Sequence, residues 1–429
     1  MAVSTGNDGK EGINMRLLKL EMKRILKTRL TIILLASALA LTFIMAWLPV
    51  TFSYNSFIDT NGKTVKLTGL ASIEYEKDLQ ADTAGMVTPE KVRQAAEDYQ
   101  ACLTKYGVEE SWDLPEGVFQ AEILPYYPLL HGIKEAFADP NTGVAPSIME
   151  IDTEEIDKYY DVCEDRIVSL MKMEQKKYPA AQSRAVSMYN EVKKPYLFFP
   201  GYNTDAMDYQ ILLAFLIVLF CTVIAAPVFT SDYQTGADDI LRCTKYGKER
   251  FAVTKIVSAL LICGISYSIC AVTYLILSNS FFGWECTKSS IQMLYSVVNL
   301  SDMNIGQLQC FIAVSGLLCI LATISFTLYL SSKFKNMVVS LSMALLFCLL
   351  PIIIYMVLPD WIGMWIYNIL PAGAVGLQAS ILYAIVDFNF WNIGAIAIWI
   401  PHVMIGAYII EIPLFAFLTI CSYSRHKVS

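Results

Sequence analysis

Long apolar runs without Asp, Glu, Lys or Arg alternate with short basic segments along this chain of 429 residues. A bilayer core about 30 Å thick needs roughly 20 helical residues. Runs of that kind lie at 30–58, 209–231, 256–284, 303–332, 336–359, 361–386 and 388–410, the last continuing past Glu411 to residue 424. Counted one by one, they give seven spans. Charge decides otherwise, because short loops rich in Lys and Arg stay cytoplasmic. Basic groups stand at Arg16, Lys19, Lys23, Arg24, Lys27 and Arg29, at Arg242, Lys245, Lys248 and Arg250, at Lys333 and Lys335, and at Arg425 and Lys427. Six spans put all four groups inside, whereas seven would put the last one outside.

The pattern therefore predicts an all-α polytopic membrane protein with transmembrane segments at 30–52, 209–230, 253–278, 307–331, 337–358 and 394–422. Residues 359–393, broken by Pro371, Gly373 and Gly376, become an outer re-entrant segment between the fifth and sixth spans, and Pro401 marks a bend in the last one. Non-helical backbone at that depth is tolerated where protein buries it. Residues 53–206 form an extracellular domain, 231–252 a cytoplasmic loop, 279–306 an outer loop and 423–429 a cytoplasmic tail. The first apolar stretch exceeds a signal-peptide core and ends in Trp47, Pro49 and Phe52 without a small-residue cleavage site, which favours an uncleaved anchor.

Composition agrees. Only 17% of residues are charged, against roughly 25% in soluble domains, and the mean hydropathy is +0.47. The net charge of -7 hides a segregation, since residues 53–206 hold 15 Lys and Arg against 26 Asp and Glu. The balance argues against nucleic acid as a partner. An acidic outer surface either attracts cations or keeps the domain soluble, and the dispersed acids favour solubility.

Within that domain a hairpin is expected around Asn61-Gly62. Thr88-Pro89-Glu90 starts a helix that ends before Gly107, and Asp152 with Glu155 starts another carrying Ile156, Tyr160, Cys163, Ile167, Leu170 and Met171 at helical spacing. Cys102 and Cys163 are the domain's two thiols, and their spacing leaves a disulfide open. Tyr196 to Tyr202 reads as an aromatic hinge at the interface.

Catalytic and metal-binding signatures are missing. His131, His402 and His426 share no ligand spacing, no G-x-S-x-G elbow occurs, and Asn61-Gly62-Lys63-Thr64 fails as a P-loop because its first glycine position is Phe57. The chain is expected to bind no cofactor itself and to carry no enzymatic centre. Any ATP and Mg2+ would sit on another chain. Glu411, inside the last span, is either a polar site on a translocation path, a proton-sensitive switch, or a hydrogen-bonded helix contact.

The inner surface is the most informative. Arg16, Lys19, Lys23 and Lys27 recur at steps of three and four, opposite Leu18, Met22, Ile25 and Leu26, as in an interfacial amphipathic helix. Between the second and third spans, Gly236, Asp238, Asp239, Leu241, Arg242, Lys245, Tyr246 and Arg250 suggest a short helix with acids at its start, bases at its end and Gly247 at its exit, before Lys255 opens the next span.

This segment resembles the coupling loop of type-2 ABC exporter permeases. Six spans, a basic amphipathic helix before the first and a hydrophobic re-entrant pair around 369–373 resemble that family as well. The large outer domain departs from the compact family pattern and is similar to that of bacterial exporters and immunity permeases acting on peptides or lipid-linked compounds.

The resemblance implies a permease subunit in the bacterial plasma membrane, with both termini cytoplasmic. It would pair with a second permease subunit, identical or related, and with cytoplasmic P-loop ATPase subunits that press on the eight loop residues named above. Its cargo would be a peptide, a lipid or a hydrophobic antimicrobial. The competing reading is a membrane-anchored receptor or scaffold whose acidic outer domain binds a ligand without transport.

Overall fold

A computed structural model describes residues 6–59, 62–139, 142–243 and 248–425. The chain opens with α1 (Gly6–Leu26) and, after a turn at Lys27 and Thr28, α2 (Arg29–Phe52). An antiparallel hairpin follows, β1 (Tyr54–Ile58) with β2 (Thr64–Thr68), in register Tyr54 with Thr68. The domain between α2 and α9 continues through α3 (Leu70–Leu79), β3 (Gly85–Met86), α4 (Pro89–Tyr106), α5 (Tyr127–Ala136), α6 (Thr153–Ile156), α7 (Tyr159–Glu174), α8 (Pro179–Asn190) and β4 (Leu197–Phe198). Then come α9 (Thr204–Ala225), α10 (Pro227–Thr235), α11 (Ala237–Arg242), α12 (Glu249–Phe282), α13 (Ile305–Lys333), α14 (Met337–Val357), α15 (Asp360–Tyr367), α16 (Ile381–Val386), the hairpin β5 (Phe390–Ile393) and β6 (Ile396–Trp399), and α17 (Ile400–Arg425).

Six helical stretches among the described residues are long and apolar enough to cross a membrane: α2, the joined α9–α10, α12, α13, α14 and α17. The central pair is α9 and α13, whose most apolar windows are 67% and 61% buried, while α17 is 17% buried and packs most extensively on α13. The exposed side chains of Ile409, Ile410, Leu414 and Phe417 give α17 an apolar stretch that would meet lipid.

Side-chain caps set many ends. Thr88 accepts from the Lys91 amide and Gly107 closes α4 with φ 66°, as the sequence spacing predicts. Asn304 and Gln307 form a reciprocal capping box at the start of α13. Elsewhere the elements differ from the sequence reading. The second span extends from Thr204 to Thr235, so the polar connection to α12 is much shorter than 231–252. The last helix begins at Ile400 instead of residue 394, because the uncharged stretch before it forms the β5–β6 hairpin, turning at Gly394 with φ 60°. Pro401 therefore sits at the helix start, where a missing N–H is harmless. The stripe expected from Ile156 to Met171 is split between α6 and α7, and Tyr159 rather than Tyr160 is fully buried. Cys102 and Cys163 are both buried free thiols.

Residues 283–304 pack against the domain that joins α2 to α9, burying Cys286, Ile291, Val297, Val298 and Leu300. The Tyr196 hydroxyl donates to the Val297 carbonyl at 2.7 Å, and the Val297 amide donates to Glu135 at 2.9 Å. Between α15 and α16 the chain makes a buried connection over residues 371–376 that includes one 3-10 turn at Gly373–Val375. There the Thr323 hydroxyl of α13 donates to the Pro371 carbonyl at 2.9 Å, and the Ala374 amide donates to the Tyr408 hydroxyl of α17 at 2.6 Å.

Candidate functional site at the basic end of the bundle

The end of the bundle that carries α1, α11 and Arg425 concentrates the charges that the apolar helices otherwise exclude. Asp232, near the end of α10, is 4% exposed, and Lys255, two turns into α12, is 0% exposed. An isolated ion at either place would be strongly disfavoured, so each requires a partner. They pair with each other. Arg24 of α1 also donates to Asp232 at 2.6 Å, and Lys255 donates to the Val228 carbonyl at 2.6 Å. Glu21 lies 3.0 Å from Arg24 and completes two acids against two bases. Burial pushes the Glu21 carboxyl above its ordinary pKa, an effect that outweighs the opposing pull of Arg24 and Lys255. This cluster holds α1 onto α10 and α12.

A second cluster lies beside it. Gly236, with φ 70°, ends α10 and starts α11 in a left-handed conformation that favours glycine. The turn directs Asp238 and Arg242 inward, where they are 3% and 8% exposed. The Tyr423 hydroxyl of α17 donates to Asp238 at 2.7 Å, Arg242 donates to the Ser424 carbonyl at 3.2 Å, and its guanidinium stands 5.2 Å from the Tyr423 ring centre. Phe229 and Phe251 join the clusters, since each ring lies about 5 Å from Lys255 and also packs on Tyr423.

The eight residues expected to touch an ATPase are thus divided. Asp238 and Arg242 face into the chain and brace α11, so their side chains are not on the outer surface. Gly236, Asp239 and Arg250 are exposed and Leu241 is half-buried, while Lys245 and Tyr246 lie outside the described residues. The sequence reading passes over Ile240, which is 74% exposed at the tip of this helix. An apolar side chain held outward by a polar brace was detectable only once the inward face of α11 was known.

Arg16, Lys19 and Lys23 are exposed along α1 and Lys27 in the turn after it, whereas Ile25 is buried. The amphipathic helix read before the first span is α1, and the turn at Lys27 and Thr28 separates it from α2. Glu411 sits in α17 one turn after Tyr408, and its Oε2 is shielded from solvent without a hydrogen-bond partner among the described residues.

Mechanically, the two clusters tie α11 to α17, and α1 to α10 and α12. Displacement of α11 must therefore move the last span or break the Asp238–Tyr423 bond. No protein-family model matches the chain, and no curated protein matches it.

Proposed function

We propose that this chain is the membrane-spanning permease subunit of an ATP-driven exporter, as the likeness of its second-to-third-span connection to type-2 ABC permeases suggests. The observation that carries the reading is α11: a short helix set off by Gly236, braced inside by Asp238 and Arg242, and presenting Ile240 outward. Such a rigid, partly apolar projection suits docking on a soluble partner. The partner is a cytoplasmic P-loop ATPase carrying ATP and Mg2+, and two permease subunits complete the pore.

Closure of the ATPases would press on α11. The Asp238–Tyr423 and Arg242–Ser424 bonds would pass the force to α17, and the Asp232 cluster would pass it to α1. The turn at 371–376, pinned to α13 and α17, would then move as a re-entrant element on the opposite side. The basic groups orient both termini to the cytoplasm of a bacterial plasma membrane and the acidic domain outward. Cargo of a peptide, lipid or hydrophobic antimicrobial kind fits a path through such a bundle.

The test is purification from source membranes in mild detergent. A P-loop ATPase should co-purify and should be lost on Ile240→Glu. An intact protein that brings down no ATPase would instead favour a receptor or scaffold.

A further inference from the structure

At the domain end of the bundle, a cavity of about 190 Å3 opens between α14, α15, α16 and the start of α17. At about 30 Å3 per water-sized group it holds roughly six such groups. The rings of Tyr355, Trp361, Tyr367 and Tyr383 line it, and among the described residues its lining contains Asp387 but no Lys, Arg or His.

Two of its polar atoms are buried without hydrogen-bond partners among the described residues. Asn368 is 1% exposed; its Nδ2 donates to the Met364 carbonyl at 2.7 Å, but its Oδ1 is unpaired. Ser380 is 0% exposed and stands at the N-cap of α16, where a serine hydroxyl ordinarily accepts from the helix's first amides. Here that hydroxyl makes no such bond and is left unpaired in the cavity wall. Buried polar atoms without partners are rare, and two on one cavity point to a ligand that supplies the missing bonds.

The electrostatics choose the ligand's sign. Among the described residues no basic group pairs with Asp387. Partial enclosure and the neighbouring Glu174 carboxylate both push its pKa above the ordinary value. A further carboxylate, Asp208, accepts from the Tyr383 hydroxyl at 3.0 Å behind the wall. With aromatic faces, unpaired acceptors and no cation, the site favours a positive, hydrogen-bond-donating group and disfavours phosphate.

We propose that this cavity binds the primary ammonium head of a cationic amphiphile. The ammonium donates to Asn368 Oδ1, Ser380 Oγ and the Asp387 carboxylate, and the tail lies toward the exposed end of α14 at Met356 and Val357. That the site admits cargo rests on the permease reading; the binding itself does not.

The test uses the full chain in phosphatidylcholine nanodiscs without any ATPase, and measures equilibrium binding of radiolabelled dodecylamine above that of empty discs. One saturable site per chain is expected. It should weaken at least tenfold in Asp387→Asn, a change at an exposed position that leaves the fold intact, and in Ser380→Ala. Dodecanol should not compete, and dodecyltrimethylammonium should compete at least tenfold more weakly because it has no N–H to donate. No saturable binding, equal competition by either analogue, or unchanged binding in Asp387→Asn would overturn the proposal. Those failures would leave the ATPase partnership untouched, and absence of an ATPase would leave this binding untouched.

Discussion

The Tyr423 hydroxyl and the Asp238 carboxylate, 185 residues apart in sequence, meet at 2.7 Å and fasten the short helix α11 to the end of the last span. Tyr423 is fully buried and Asp238 nearly so, which makes the bond a fixed joint.

Tyr423→Phe should therefore lower stability by about 1.5–3 kcal/mol, the usual worth of a hydrogen bond to a charged group, because it leaves the carboxylate without its donor. Thermal unfolding of the purified protein in detergent would show the loss. A melting temperature equal to that of the parent would mean that the joint bears no load.

The Asp232–Lys255 pair should behave differently when broken and when removed. Lys255→Met alone leaves Asp232 with Arg24 as its remaining counter-ion and should cost about 3–5 kcal/mol. Asp232→Leu combined with Lys255→Met should recover most of that, since Arg24 is 39% exposed and can turn to water or lipid phosphate. A double variant less stable than either single one would refute the pairing.

Glu21 gives the account a pH signature. Its folded pKa lies above the ordinary 4.5, so the folded state holds the proton more tightly than the unfolded one. Its contribution to stability therefore falls as pH rises from 4.5 through the raised pKa, and stays constant above it. Arg24, Lys255 and Asp232 face it, but burial dominates. Chemical unfolding at several pH values should show this slope in the parent and a flatter one in Glu21→Gln. Identical slopes would contradict it.

Cys243, exposed just after α11, reports which side the basic end occupies. In a background lacking the other accessible thiols, Cys310→Ser with Cys421→Ser, a membrane-impermeant maleimide should label Cys243 in inverted vesicles and not in intact cells. Labelling in intact cells would reverse the orientation.

Much of the bundle was legible because charge and hydropathy speak directly to helices that cross a membrane. Thr88, Pro89 and Gly107 likewise marked α4 through local chemistry alone. The hairpin at 390–399 was hidden, because a short uncharged apolar run reads equally as strand or helix start. The inward turn of Asp238 and Arg242 was hidden for another reason: a six-residue helix has no face until Tyr423 supplies one. Asp232 and Lys255 were visible as lone charges beside apolar runs, and the low dielectric around them required the partnership that the fold reveals. Asn368 and Ser380 carried no signal, since an unpaired atom is a property of packing.

The most direct test of the central claim is photo-crosslinking from position 240. With a benzoylphenylalanine in place of Ile240, irradiated source membranes should give an adduct in which mass spectrometry identifies a P-loop ATPase. Adducts only to lipid, or only within this chain, would contradict the coupling role of α11.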